Sequence, residues 1–297
     1  MRISLKQIEI FLKIAKLGNM SQAAQVLGLS QSACSMALAA LESQLNGILF
    51  DRSGKRLNLN ERGRVLLPMA INLIAQATNI QEVMLETNSQ WLAGELVVGA
   101  STTIGNYLMP HIVGNFVLEQ PRIKVNLQVA NTEQIVKQLL NFNIDIGLIE
   151  GDCNREELEL IPWRQDKLII IAAAEHQLAK KAKLTANDLE QARWVLREIG
   201  SGTRQRFESA FPKKVIPFLE LGSIEAVKQV VHSGLAISCI AKIAVTESLK
   251  SGQLVELKTP FLKLTRDFSI LLHKEKYQTA VLKRFIQACL LFKVNHS

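Results

Sequence analysis

The chain has 297 residues, with Lys+Arg 35 against Asp+Glu 27 and a formal net charge of +8; the length suits two or three folding units, and the positive balance suits a polyanionic partner. Four cysteines, at 34, 153, 239 and 289, form no CxxC pair, which excludes a disulfide framework and fits a reducing compartment. The opening Met1–Glu9 places charges where a signal peptide needs an apolar run, and no stretch approaches roughly 18 consecutive apolar residues, so the sequence predicts neither export nor a membrane span but a cytoplasmic protein.

In chain order, Leu5, Ile8, Phe11, Leu12 and Ala15 recur at helical spacing and predict the inner stripe of a first helix ending near Gly18. Ser21 is placed as the N-cap of a second helix, whose Ala23, Ala24 and Leu27 turn inward. Gly28 ends that helix and Leu29 plugs the turn. Ser30 caps a third helix with Ala33, Leu38, Leu41 and Leu45 on its core side. A short helix, a glycine turn and a serine-rich helix start together read as a helix-turn-helix. Gln31, Ser32, Ser35 and Met36 then face outward, where the bases and phosphates of a duplex would lie. Gln bridges an adenine edge, Ser binds a base or a phosphate, and a helix start attracts phosphate. Ser21, Gln22 and Ser30 flank this face and are taken as DNA-binding with Gln31, Ser32 and Ser35. The alternative is a three-helix packing module in which Gln31 and Ser32 are only caps.

Residues 48–59 read as a β-hairpin, a wing with a basic, glycine-containing tip. Arg52, Lys55 and Arg56 would meet phosphates or the minor groove. From Asn60 to about Ser89 a long helix is expected, capped by Asn60 and tightened by Pro68. Its band of Leu66, Met69, Ala70, Leu73, Ile74, Ala77, Ile80, Val83 and Met84 suits pairing with a second copy or packing on its own domain.

After Gly94 strands and helices alternate. Strands are read at 95–100, 124–129, 144–149, 167–173, 194–196 and 218–221, an α/β pattern with parallel sheets. Ligands in such sheets bind beyond the carboxyl ends of strands. Three places qualify: Ser101, Thr102 and Thr103; Glu150 at the end of its strand; and Ser201, Gly202 and Thr203, where glycine permits close approach of backbone. Thr132 is added to this ligand-binding set. Hydroxyls at two helix starts describe a small-anion site, although each triplet can also serve only as a cap.

Leu29-Ser30-Gln31-Ser32-Ala33, Ala40-Leu41-Glu42, Leu49-Phe50-Asp51-Arg52 and Leu59-Asn60-Glu61-Arg62-Gly63 resemble the N-terminal domain of LysR-type transcriptional regulators. Met36 and Ala37 depart from the Arg and Gln that many members carry there. The resemblance implies a winged helix-turn-helix DNA-binding domain over 1–60, a linker dimerisation helix over 61–90 and an effector-binding domain over 91–297. That last domain is periplasmic-binding-protein-like and two-lobed, lobe I about 94–164 plus 269–297 and lobe II about 165–268. Ser101 and Thr103 match the hydroxyls that hold sulfate in the branch regulating cysteine biosynthesis; a third hydroxyl position matches Glu150, whose carboxylate opposes a dianion. With Ile149-Glu150-Gly151, the run 197–204 and Leu221-Gly222-Ser223-Ile224-Glu225-Ala226-Val227, the chain looks closest to the YeiE-like subgroup, linked to sulfite sensing. Sulfite, partly protonated near neutral pH, would donate to Glu150.

The resemblance implies promoter DNA, a small-molecule effector and a homodimer or homotetramer as partners, with RNA polymerase contact a further one, and no cofactor or metal. Paired heads imply an interrupted palindrome. The five histidines stand apart, with no HxH, HExxH or GxSxG arrangement, so an enzyme is not expected. Two other triggers stay open: thiol redox sensing through Cys153 or Cys239, and a small organic carboxylate.

Overall fold

A computed structural model describes residues 3–54, 56–85 and 92–292. The chain divides into two compact units near residue 92, with Glu275–Lys283 grouping with the first.

The first unit begins with α1 (Leu5–Leu17), opened by a capping box between Ser4 and Gln7 and closed by Gly18 at φ 62°. Its inward face is wider than the expected stripe. Ile8, Ile10, Phe11 and Ile14 are buried, Leu12 and Ala15 are partly buried, and Leu5 is exposed. The reason is that α1 packs against three helices at once: α2 (Met20–Val26), α3 (Gln31–Gln44) and α4 (Glu61–Leu85).

The cap of α2 is Asn19, whose Oδ1 accepts from Gln22 N at 3.1 Å, and not Ser21. The left-handed Gly18 ends α1 one residue earlier and leaves Asn19 in extended conformation, free to cap. Ala23 and Ala24 are buried, Gly28 turns at φ 66°, and Ser30 Oγ caps α3 through Ala33 N at 3.1 Å. On α3 the core side is Cys34, Leu38 and Leu41, while Ala33 and Leu45 are half-buried.

The hairpin β1 (Phe50–Ser53) and β2 (Arg56–Leu59) is antiparallel, with Arg52 opposite Leu57. Leu57 N donates to Gly18 O at 2.9 Å, and the Phe11 and Phe50 rings lie 5.5 Å apart, so the wing is fixed to α1. Asn60 Oδ1 caps α4 through Gly63 N at 2.9 Å. Gly63 brings α4 so close to the wing that a Cβ would stand 2.2 Å from Leu49 O. On α4, Ala70 is buried and Leu66, Leu67 and Ile74 lean on the head, whereas Val65, Met69, Leu73 and Ile80 are exposed. Lys55, residues 86–91 of the expected linker, and the side chains of Val83 and Met84 lie outside the described residues.

The second unit runs β3 (Gly94–Ser101), α5 (Thr102–Tyr107), α6 (Met109–Glu119), β4 (Ile123–Ala130), α7 (Thr132–Leu140), β5 (Ile146–Glu150) and the long β6 (Leu158–Ala173). It continues through α8 (Ala186–Glu190), β7 (Val195–Arg197), α9 (Gly202–Ala210), β8 (Leu219–Leu221), α10 (Ile224–His232) and β9 (Ser238–Ala241). It ends with α11 (Thr246–Lys250), β10 (Leu254–Leu257), β11 (Thr265–His273) and the greater part of α12 (Ala280–Leu291), from Arg284 onward. Seven strands join in one sheet ordered β10-β6-β11-β5-β3-β4, with β9 also on β6.

The sheet is mixed, not parallel throughout. β3 pairs parallel with β4 and β5, but β11 is antiparallel to both β5 and β6, and β9 and β10 are antiparallel to β6. The strands β9, β10 and β11 are absent from the sequence reading, and β6 starts at Leu158 instead of Lys167. Its first half alternates exposed and half-buried residues and contains Pro162, so it reads as loop. One apolar core gathers around Trp194, Phe207 and Phe211, another around Ile135, Leu139 and Ile149.

Gly63→Ala is expected to destabilise the first unit by about 1–3 kcal/mol, because the obstacle is backbone. Thermal denaturation should show a lowered first transition with the second unit's transition unchanged.

Candidate functional sites: a nucleic-acid interface and an effector cleft

On the first unit, the solvent face of α3 carries Gln31, Ser32, Met36, Ala39 and Ala40, all exposed, with Met36 69% exposed. Ser21 Oγ donates to Gln31 Oε1 at 3.1 Å and so steadies the expected adenine reader from the neighbouring helix. Ser30 Oγ is spent on its cap and on Ser32 Oγ at 3.0 Å. Ser35 is half-buried and Gln22 exposed. The only charged residue on α3, Glu42, accepts from Leu49 N at 2.8 Å. The reading helix is therefore neutral and partly apolar, and cations flank it: Arg52 and Arg56 are exposed on the wing. Two further arginines, not singled out in the sequence, brace this face. Arg62 Nη2 donates to Leu45 O at the end of α3, at 2.6 Å, and Arg64 Nη1 to Leu59 O at 2.7 Å.

In the second unit the ligand candidates come together at strand ends. Ser101 closes β3, Thr102 and Thr103 open α5, Thr132 opens α7, Glu150 closes β5, and Ser201, Gly202 and Thr203 start α9. Three of them, Thr103, Glu150 and Thr203, meet on a residue the sequence reading missed, Arg266 on β11. Its Nη1 donates to Thr203 Oγ1 at 2.9 Å and Nη2 to Thr103 Oγ1 at 3.2 Å. Its Nη1 also pairs with Glu150 Oε2, and its Nε and Nη2 meet Asp166 Oδ2 at 2.8 and 2.7 Å. All three side chains are nearly or fully buried. Burial pushes the Asp166 carboxyl up from its ordinary range, against the opposing pull of Arg266. Leu264, Arg266 and Phe268 are buried while Thr265 and Asp267 are exposed, so a lone arginine on the inward face of an alternating strand was the available signal.

Glu150 thus has internal partners: besides Arg266, its Oε1 accepts from Thr103 N at 3.2 Å. Its backbone oxygen accepts from Thr132 Oγ1 at 3.2 Å and faces Gly202, where a Cβ would stand 2.1 Å from that oxygen. Glycine at 202 is therefore a requirement of close backbone packing. A second buried arginine, Arg197 at the end of β7, lies side-on to Glu198 and reaches Thr102 Oγ1 at 3.1 Å. Two open cavities flank these residues, one of about 570 Å³ touching Thr132, Cys153 and Ser201 and one of about 280 Å³ touching Gly151, Gly202 and Arg266.

Cys153 is half-buried, and burial raises its thiol despite Arg155; Cys239 is fully buried and pushed up to about 12. Burial disfavours the thiolate on which thiol chemistry depends. Among the described residues no single helix is long and apolar enough to cross a membrane, and no group of three or more His, Cys, Asp or Glu side chains could hold a metal ion.

A winged helix-turn-helix followed by an α/β unit with a polar, arginine-centred cleft defines a ligand-responsive DNA-binding regulator. The bacterial regulatory helix-turn-helix family model of the lysR type matches residues 5–64, and the LysR substrate binding domain model matches residues 89–291. The chain belongs to the LysR family of transcriptional regulators and is not an enzyme. It is 39% identical to the HTH-type transcriptional regulator YeiE of Escherichia coli, over 97% of this chain and 98% of that protein. It is similar in fold to a full-length OxyR variant from Pseudomonas aeruginosa, with TM-score 0.78 and 22% identity over 98% of this chain and 99% of that one. It also resembles the regulatory domain of Synechocystis CcmR in complex with 2-PG, with TM-score 0.62 and 27% identity over 68% of this chain and 99% of that one.

Arg266→Met is expected to destabilise the second unit by about 3–5 kcal/mol, since Glu150 and Asp166 would stay buried without their cation. A lowered urea midpoint would show it, and adding Glu150→Gln with Asp166→Asn should recover most of the loss.

Proposed function

We propose that this LysR-type regulator binds a small anion, sulfite by preference, in the cleft bounded by Ser101, Thr102, Thr103, Thr132, Glu150, Ser201, Gly202 and Thr203, and that binding changes how paired heads engage promoter DNA. The observation that carries this reading is the convergence of hydroxyls from α5 and α9 on one buried guanidinium. Arg266 lessens the obstacle of Glu150 by pairing with it, so an approaching anion does not meet a bare carboxylate. The preference for a sulfur oxyanion rests on the resemblance of residues 149–151, 197–204 and 221–227 to the YeiE-like subgroup. A small organic carboxylate is the second reading, favoured by the CcmR domain's complex with 2-PG.

On DNA, Ser21, Gln22, Ser30, Gln31, Ser32 and Ser35 form the reading face, while Arg52, Lys55 and Arg56 supply phosphate contacts. The exposed Val65, Met69, Leu73 and Ile80 on α4 suit pairing with a second copy, in a dimer or a tetramer. RNA polymerase is a further partner of the DNA-bound oligomer, and such a protein works in the cytoplasm, where promoter DNA is.

Calorimetry of the full-length protein against sulfite, sulfate, thiosulfate and small carboxylates should show binding of a monoanionic species; no binding of any of them overturns the anion reading. Ser101→Ala combined with Thr203→Val should abolish the effector's influence on DNA binding. In salt titrations on a selected operator, Arg52→Ala should lower the log–log slope by about 1. Peroxide should leave DNA binding unchanged, both in the parent protein and in Cys153→Ser and Cys239→Ser variants; a change that either variant removes would instead establish thiol sensing.

A further inference from the structure

The face that α3 turns to solvent has almost no hydrogen-bonding capacity at its middle. Cys34, Leu38 and Leu41 fix the buried side of the helix. Ser32, Met36, Ala39 and Ser43, spaced four, three and four residues apart, form the ridge on the opposite side, and all four are exposed. Ala40, one turn on from Met36, is exposed beside them. The ends of this ridge are polar, with Gln31 and Ser32 at the start and Ser43 and Gln44 at the close. Its middle is one methionine and two alanines, so Met36, 69% exposed, is the one side chain there with reach. No Lys or Arg occurs on α3, and its one acid, Glu42, is held by Leu49 N at 2.8 Å. A lone exposed methionine is ordinary on a surface that meets only water. This one stands at the centre of the face proposed above to meet the duplex.

We propose that Met36 reads the 5-methyl group of a thymine, and that it thereby makes α3 specific for an A·T pair at the middle of each half-site. This rests on the reading face given above and assigns one base to one of its side chains. In the major groove every base pair offers donors and acceptors, and thymine alone adds a methyl group. A thioether donates nothing and accepts only weakly. Over a G·C pair Met36 would therefore cover polar groups and return no bond, a loss that Ala39 and Ala40 beside it cannot make good. Over an A·T pair it meets the one apolar feature of the groove, and contact removes apolar surface of both partners from water. The unbranched, polarisable methionine chain adapts its shape to such a methyl. Gln31, steadied by Ser21 Oγ at 3.1 Å, lies five residues earlier, which is about 7.5 Å along the helix axis. The thymine met by Met36 is then about two base steps from the base met by Gln31.

The test starts with selection of a preferred operator from a random-sequence duplex library by the full-length protein. Affinities are then measured on that operator with single thymines replaced by uracil, which lacks only the 5-methyl group, and thermal melting serves as the folding control. For the parent, one thymine in each half-site should respond, with binding weakened about fourfold per half-site, the worth of one buried methyl. In Met36→Ala that response should vanish while responses at other positions remain, and Met36→Leu, which keeps an apolar side chain, should restore it. Met36→Arg should shift the base selected at that position to guanine. If the parent selects no sequence, the reading face and this assignment fall together. If it selects a sequence that Gln31→Ala relaxes, but no thymine responds to uracil or the response persists unchanged in Met36→Ala, the reading face stands and the Met36 assignment is overturned.

Discussion

The effector unit depends on one shared cation. Arg266 stands directly opposite Asp166 on β6, while β5, which carries Glu150, is the neighbour of β11 on the other side. Three adjacent strands thus bring two acids to one guanidinium, out of water. Removing such charges from solvent is expensive, and the arrangement survives only where the hydrogen bonds are filled. Here Thr103 and Thr203, which open two different helices, accept from the guanidinium, and Glu150 Oε2 is held by the ion pair. The demand of one strand-borne charge therefore places α5 and α9 against the same point, and the cleft follows from that placement.

The head shows the opposite economy of charge. Its reading helix is neutral on the exposed face, and the cations stand on the wing. Two further arginines, Arg62 and Arg64, donate to backbone oxygens at the ends of α3 and β2. Positive charge thereby ties both α3 and β2 to α4, and on the proposed reading face sequence discrimination would fall to Gln31, to hydroxyls, to apolar contacts and to DNA shape.

The head was legible in the sequence because its signals are local. Gly18, Gly28, Ser30, Asn60 and the hairpin act within three or four residues of themselves. The cap of α2 slipped by two positions because Asn19 and Ser21 are both good caps, and only the left-handed turn at Gly18 decides between them. In the effector unit the hydroxyl triplets were legible as residues following strands. Arg266 was not, since its partners Asp166 and Thr103 lie 100 and 163 positions away in sequence. β11 was missed for a related reason: its role as the antiparallel centre of the sheet depends on pairing with β5 and with the first half of β6, roughly a hundred residues earlier, and nothing near Thr265–His273 announces those partners.

The two long strands have one more consequence. β6 and β11 stay hydrogen-bonded to each other from Thr265 opposite Lys167 to His273 opposite Leu158, with a single irregularity between Phe268 and Ser269. The strands on either side, β5, β3 and β4 beyond β11 and β9 and β10 beside β6, are therefore joined by a paired ribbon and not by a loose tether. At the irregularity Trp163 has no partner in the register, which bends the strand and sharpens its twist there. In the proposed effector response, a change at the strand ends of β5 would therefore reach β6 only through the continuous pairing of β11 with both.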